Sequence, residues 1–421
     1  MIESPLTILA RLPGPVRLLV TGSLINKVGT FIVPFLTLVL LRNFHLRENE
    51  VAALFAAYGV GSIVSILAGG ALTDHLGRRA TLMLSLFGSG GLALAMGFAT
   101  SVRVFVPLLL AFGFVADLYR PAASAIVGDL LASHERATGF AALRLAVNLG
   151  FAFGMALGGF IADWSWRWLF LGDGLTTLLY GLVVLFFIPE TRPIATGTAP
   201  TAAASPARES PWRDGVFLQV ALVGFLSSMV FFSDLTVLPL TITVSAAYPA
   251  AVYGALVGLN GLLIALFEMS AVGPLSRYRR LRVAALGTIL IGLGFGVTGL
   301  WLHWSWFLLV ILLSTAGEIL TSPQQMAFVA DWAPPRTRGQ YLSLYQATWS
   351  LSLAVNPVVL LPLHAHLSEA VFWSLMGLVA IPAALLLLRL DRIADHPAQL
   401  RGLTQPPPAD PTLLSAIAPE G

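Results

Sequence analysis

Twelve stretches of about twenty mainly apolar residues follow one another along this chain, and no other feature of the sequence constrains the fold as strongly. They run over 16–41, 50–72, 81–100, 105–128, 140–162, 168–188, 215–240, 251–275, 283–302, 305–330, 340–363 and 369–390. Each is long enough to cross a bilayer core about 30 Å thick as a helix. Composition agrees, with 57% hydrophobic and 11% charged residues, against about 25% charged in soluble domains. Such a chain cannot cover a water-facing surface, so it lives in lipid as an all-α protein of 12 transmembrane helices.

The same inventory excludes several functions. With no cysteine, the chain has no disulfide framework, thiolate metal site or cysteine nucleophile. All seven histidines fall in or beside expected loops, which argues against a metal or haem site within the membrane, against any cofactor, and against a membrane-embedded enzyme. A nucleotide-driven pump needs a phosphate-binding lysine in a Gly-rich loop, but the only lysine, Lys27, stands in "SLINKVGT". Basic residues are scattered through short loops, which fits membrane orientation better than nucleic-acid binding. The start, "MIESPLTILARLPGP", carries an acid and no small-residue cleavage site, so the first helix is expected to stay as an anchor.

Arginine placement orients the spans. With the N-terminus inside, Arg78 and Arg79, Arg277 to Arg282, and Arg336 and Arg338 all fall on the cytoplasmic side, and only Arg42, Arg47, Arg103 and Arg167 fall outside. By the positive-inside rule both termini are cytoplasmic. Residues 189–214, with "TGTAPTAAASPARESP", read as a flexible linker between a bundle over 1–188 and a second over 215–390, and 391–421 read as a disordered tail. The halves echo each other. "GALTDHLGRRATL" after span 2 matches "GPLSRYRRLRVAAL" after span 8, Pro121 matches Pro323, and Asp129 matches Asp331. Two pseudo-symmetric six-helix bundles joined by a linker are the architecture of many secondary transporters.

The loop "GALTDHLGRR" resembles the signature loop of the major facilitator superfamily between helices 2 and 3. Gly70, Asp74, Gly77, Arg78 and Arg79 fit its pattern, while His75 stands where a basic residue is usual. "LRLAVNLGFAFGMALGG" looks like that superfamily's antiporter signature through Gly150, Gly154, Gly158 and Gly159, with Met155 in place of proline. "GEILTSPQQMAFVADWAPPRTRGQY" and "NKVGTFIVPFLTLVLL" are similar to helix 10 and helix 1 of bacterial drug–proton antiporters. Arg78 can pair with a carboxylate at another helix end, and Asp129 is the natural candidate. The resemblance implies that Asp74, Arg78 and Asp129 latch the cytoplasmic side.

Charges within spans are expensive, about 2.5–3.5 kcal/mol at mid-membrane on insertion scales, so they mark where lipid is absent. They are Lys27 in span 1, Asp117 and Arg120 in span 4, Arg144 in span 5, Asp173 in span 6, Asp234 in span 7, Glu268 in span 8 and Glu318 in span 10. The resemblance implies that helices 1, 4, 7 and 10 line a central cavity, which assigns Lys27, Asp117, Arg120, Asp234 and Glu318 to it. Aligning Pro34 with Pro239 puts Lys27 near the depth of Asp234, so an ion pair between them is expected. Burial raises a carboxylate's proton affinity and a nearby cation lowers it, so Glu318, then Asp234, is the expected proton carrier. Phe231, Phe232, Tyr345 and Trp349 could stack on a flat substrate.

The expected function is proton-coupled antiport, exporting drugs or other amphipathic molecules by alternating access. Proton-coupled import of a nutrient, peptide or lipid-like anion bound by Lys27, Arg120 and Arg144 is the alternative. Expected partners are a small-molecule substrate, protons and the lipid bilayer, with the protein a monomer. A single lysine among 24 basic residues points to a GC-rich bacterial genome, and so to the bacterial inner (plasma) membrane.

Overall fold

A computed structural model describes residues 11–131, 136–191, 210–275, 277–334 and 337–393. The expected linker and tail lie mostly outside these residues. Among the described residues, twelve helices are long and apolar enough to cross a membrane: α1 Gly14–Arg42, α2 Glu48–Thr73, α3 Arg78–Phe98, α4 Val102–Leu130, α5 Ala142–Trp164, α6 Trp166–Phe187, α7 Gly215–Ser245, α8 Ala250–Glu268, α9 Arg280–Leu300, α10 Trp304–Trp332, α11 Gln340–His366 and α12 Glu369–Ile393. The end of the molecule where α1 starts and α12 finishes is called the termini end, and the opposite one the far end.

Three of these helices, α1, α4 and α7, are broken at mid-length, and proline explains why; α4 divides into Val102–Ala116 and Tyr119–Leu130, with Pro121 four residues past Asp117. A proline ring clashes with the carbonyl four residues back and removes a donor. Pro34 therefore stops α1 from running straight through Thr30, and α1 consists of Gly14–Val28 and Ile32–Arg42. Gly29 occupies the break because a Cβ there would lie 1.8 Å from Thr176 Oγ1 on α6. Pro239 acts in the same way on α7, which divides into Gly215–Phe231, Ser233–Thr236, Leu238–Leu240 and a wide turn over Thr241–Ser245. The α1 and α7 breaks fall at matching places in the two halves of the chain.

Packing sorts the helices into two groups. Within the first group, α3 lies on α6 and α4, and α1 on α5 and α6; within the second, α9 lies on α10 and α12, and α7 on α11 and α12. Asp214 fixes the start of α7: its Oδ1 accepts the Val216 and Phe217 N–H groups, and its Oδ2 accepts Trp332 Nε1 at 2.8 Å and the Tyr341 hydroxyl at 3.0 Å. One carboxylate thus caps α7 and ties it to α10 and α11.

The groups meet along α5 with α8 and α2 with α11. At the far end a single apolar core, including Phe35, Leu38, Phe170, Val237, Tyr253 and Trp373, joins both groups. Toward the termini end the core splits, with Val16, Leu82, Val127 and Tyr180 in the first group and Phe217, Leu281, Trp332 and Leu387 in the second. Arg120, Ser124 and Gln346 are exposed there although they lie within spans. Lipid cannot host such groups, so the space between the groups is wet and opens at the termini end.

Far-end closure adds polar ties across the divide. Arg42 donates to the Thr243 carbonyl, the Tyr253 hydroxyl donates to the Pro34 carbonyl at 3.3 Å, and Asp163 on α5 accepts the Ala250 and Ala251 N–H groups that start α8, each at 2.8 Å. Trp164 and Trp168, stacked and exposed at this end, suit a membrane–water interface.

The α5–α8 seam depends on missing side chains. A Cβ on Gly254 would lie 2.3 Å from the Met155 carbonyl, and one on Gly258 2.7 Å from that of Ala152. Gly254→Val is expected to destabilise the protein by about 1–3 kcal/mol, read as a lower thermal-unfolding midpoint in detergent. Gly91→Ala, where a Cβ meets nothing within 4 Å, is the control; equal midpoints for both variants would contradict the close seam.

Candidate functional site

The break in α7 delivers an acid to the divide between the helix groups. Asp234 sits in the short Ser233–Thr236 segment, 5% exposed, and its Oδ1 has no hydrogen-bond partner. The other acid in the middle of a span of the second group is Glu318 of α10. Glu318 Oε2 accepts Asn260 Nδ2 from α8 at 3.3 Å, and the same amide group donates to Thr315 Oγ1 at 2.9 Å. Beside Glu318 lies a small cavity of about 10 Å³, room for about one water molecule, lined by Ser227, Phe231, Ile291, Thr321, Ser322, Gln325 and Trp349. Phe231, Phe232 and Trp349 form one aromatic cluster, with ring centroids 5.4 to 6.1 Å apart. Tyr345 is buried, with its hydroxyl donating to Gln325 Oε1 at 2.7 Å. It therefore supports the pocket wall rather than offering a face to a ligand.

Cations occupy the other half of the molecule, and each has a partner. Arg120 Nε lies 2.6 Å from Asp117 Oδ1, one helical turn away on α4, and Ser62 donates to the other oxygen of Asp117. Arg144 on α5 pairs with Glu268 on α8 across the divide. Lys27 Nζ stands over the Tyr119 ring, 5.2 Å from its centroid, an attraction of about 0.5–2 kcal/mol.

The expected ion pair of Lys27 with Asp234 is absent. The first segment of α1 packs on α5 and α6, whereas the Ser233–Thr236 segment of α7 packs on the second segment of α1, beyond the break. The two side chains consequently lie on opposite sides of a bend that a depth count along a straight helix does not see. The break is itself held by Asp173 of α6, whose Oδ2 accepts the Ile32 N–H at 3.4 Å at the start of the second segment. A carboxylate at a helix N-terminus is favourable. Asn26 reaches the same place, donating to Thr177 Oγ1 at 2.7 Å.

A second constellation lies at the termini end. Gly77 has φ +108°, a conformation suited to glycine, and a Cβ there would lie 2.4 Å from Glu190 Oε2. Arg78 Nε lies 3.0 Å from Asp129 Oδ2, the expected pairing, and Arg78 also donates to the Thr73 carbonyl at 3.0 Å. Glu190 accepts the backbone N–H groups of Arg78 and Arg79, and the Arg79 side chain donates to the Leu185 carbonyl. Gly70 faces open space, and the Asp74 side chain lies outside the described residues. The second half repeats the motif: Arg280 pairs with Asp331 at 2.8 Å, and Arg279 and Arg282 both bind Asp391 at the end of α12.

The four expected glycines let α5 approach its neighbours. A Cβ on Gly150 would lie 2.6 Å from the Leu24 carbonyl, on Gly154 2.8 Å from that of Lys27, and on Gly158 2.6 Å from the Phe35 ring, all on α1; on Gly159 it would lie 2.7 Å from the Ala250 carbonyl of α8. Sequence reading missed Asn260, Glu190 and Asp391. The last two had a signal, being acids that directly follow a span in each half.

A family description, Major Facilitator Superfamily, matches residues 19–357 and 252–417. The chain is 24% identical over 361 residues to the uncharacterized MFS-type transporter YhjO of Bacillus subtilis (strain 168), covering 85% of this chain and 88% of that protein. It is 22% identical over 400 residues to a Na(+), Li(+), K(+)/H(+) antiporter of Planococcus maritimus, covering 86% and 92%. To the quinolone resistance protein NorA of Staphylococcus aureus (strain Mu50 / ATCC 700699) it is 26% identical over 167 residues, covering 39% and 42%. Among solved structures, a POT family transporter in complex with 5-aminolevulinic acid superposes with TM-score 0.76 at 16% identity, over 91% of this chain and 99% of that one.

Glu190 caps the first turn of α3 from a distant point in the chain. Glu190→Ala is expected to cost about 1 kcal/mol, seen as a lower thermal-unfolding midpoint, whereas an unchanged midpoint would show that the cap contributes nothing.

Proposed function

The chain belongs to the Major Facilitator Superfamily, and on that premise we propose that this transporter is a proton-coupled antiporter exporting amphipathic, cationic small molecules. One observation carries the reading. The cations within the spans, Lys27, Arg120 and Arg144, are each engaged by a ring or a carboxylate, while Asp234 and Glu318 have no ion-pair partner among the described residues. An unpaired intramembrane carboxylate must be neutralised by a proton or by a bound cation. If both compete for the same two acids, proton entry and substrate exit become alternatives on one site, which is antiport.

The aromatic lining beside Glu318 supports this substrate class. The Phe231, Phe232 and Trp349 rings beside Glu318 offer stacking and cation–π surface. Import of an anion would require an unengaged cation facing the cavity, and the three candidates are already satisfied. Similarity to NorA and to the Planococcus maritimus antiporter favours the same direction.

With both termini in the cytoplasm of a bacterial cell, the open end faces the cytoplasm and the far end is sealed. Substrate would enter from inside, displace protons from Glu318 and Asp234, and leave after the bundles rock. Arg78 with Asp129 and Asp74 would stiffen the termini end of the first bundle, and the α5–α8 glycine seam would remain in contact throughout. The transporter would act as a monomer in the plasma membrane, taking protons from outside.

Inverted membrane vesicles with an imposed pH gradient and ethidium as probe test the proposal. Gradient-driven ethidium uptake is expected for the native chain, and Glu318→Gln should reduce it by about 5- to 150-fold, as a coupling free energy of about 1–3 kcal/mol implies, while weaker binding through Asp234 and the rings persists in detergent. Full uptake by Glu318→Gln would remove Glu318 from the coupling site.

A further inference from the structure

At the closed far end the two bundles meet over three ionisable side chains that the transport reading does not use. Glu48 starts α2 in the first bundle; His364 and Glu369, near the end of α11 and the start of α12, belong to the second. Glu369 is fully engaged. Its Oε2 accepts Thr241 Oγ1 and Trp373 Nε1, each at 2.9 Å, and its Oε1 accepts the Ser245 hydroxyl and faces His364 Nε2 at 3.1 Å. The other ring nitrogen, Nδ1, lies 3.9 Å from Glu48 Oε2, and both of these atoms are buried without a hydrogen-bond partner. The side chains of His364, Glu369 and Glu48 are 12%, 15% and 28% exposed, so water does little to relieve what they face.

Donor bookkeeping then decides the protonation of the cluster. A carboxylate only accepts, so the hydrogen between Glu369 and His364 sits on Nε2. A neutral imidazole carries one hydrogen, which leaves the Nδ1 lone pair aimed at the carboxylate of Glu48. Two acceptors would then face each other across the very contact that closes α2 on α11. One added proton, on Nδ1 or on Glu48, turns this repulsion into attraction. The charged groups facing His364 are Glu48 from α2 and Glu369 from α12, α7 contributes the neutral Thr241 and Ser245, and Phe372 packs edge-on against the ring. Arg42, at the end of α1, is engaged by the Thr243 carbonyl.

We propose that Glu48, His364 and Glu369 form a proton-binding site whose bound proton locks the far end shut. Opening separates Glu48 from His364 and lets water solvate both, so the proton is released to the far side. The closed form holds one proton more than the open form, and a ligand that binds one form more tightly shifts the equilibrium toward it. Low pH therefore favours far-end closure, and rising pH favours opening. This gate is independent of which acid carries the coupled proton in the cavity.

The absence of native cysteine permits a clean measurement. Spin labels on Asn49→Cys and His366→Cys, both exposed and each beside a gate residue, report the far-end separation by pulsed electron–electron resonance in lipid nanodiscs. The open-to-closed ratio is expected to rise with pH, by up to about tenfold per unit for one proton. His364→Gln should abolish that dependence. Glu48→Gln should keep the gate closed at high pH, because its amide N–H donates to the neutral Nδ1. A pH-independent separation in the parent, or an undiminished pH response in His364→Gln, would overturn the proposal. Should His364→Gln fail to fold, Glu48→Gln decides alone, and opening like the parent would overturn it.

Discussion

A bilayer offers an ionised side chain nothing to bond to, and almost every feature of this molecule follows from that. Eight charges lie within the apolar stretches of the sequence, between their first and last turns, and one at mid-membrane costs on the order of 3 kcal/mol if left to hydrocarbon. The fold answers by keeping them against other side chains, within a bundle or between the two. Three cations are matched within or across the bundles, and Asp173 is used to hold a helix break. Asp234 and Glu318 remain without a cationic ion-pair partner among the described residues. On the proposed reading, the coupling chemistry is concentrated in that remainder.

The broken helices supply the geometry. Pro34 and Pro239 interrupt α1 and α7 at matching points, so each bundle presents a bent helix to the divide. Irregular backbone at membrane depth survives only where protein or water satisfies it, and here Asp173 satisfies the α1 break. Because the far segments of α1 and α7 pack together, the bundles are joined at that end by one apolar core. At the other end each bundle keeps its own core. The contact between bundles is therefore made of different materials at different depths: glycine-lined backbone along α5 and α8, aromatic packing farther out, and polar ties at the far surface.

Much of this was legible in the amino-acid sequence because membrane insertion writes a strong pattern. The twelve spans, the repeat, and the pairing of Arg78 with Asp129 follow from hydropathy and from charges at helix ends. The aromatic trio of Phe231, Phe232 and Trp349 was legible too, although Tyr345 turned out to be a buried strut. The Lys27–Asp234 pair was misread for a definite reason: rise per residue gives depth along a straight helix, and α1 bends at Gly29, two residues past Lys27. Asn260 left no signal, since one amide in an apolar span resembles any packing residue until α10 brings Glu318 beside it. His364 looked like a loop histidine, and only the fold sets it between carboxylates from α2 and α12.

The central claim is that two acids without a cationic partner hold protons that substrate displaces. Its most direct test is the count of protons released when ethidium binds the purified transporter in weakly buffered solution. Release is expected from the native chain, whereas an Asp234→Asn, Glu318→Gln double variant is expected to bind the dye more weakly and to release no proton per dye molecule bound. Binding without release by the native chain, or equal release by both, would contradict it.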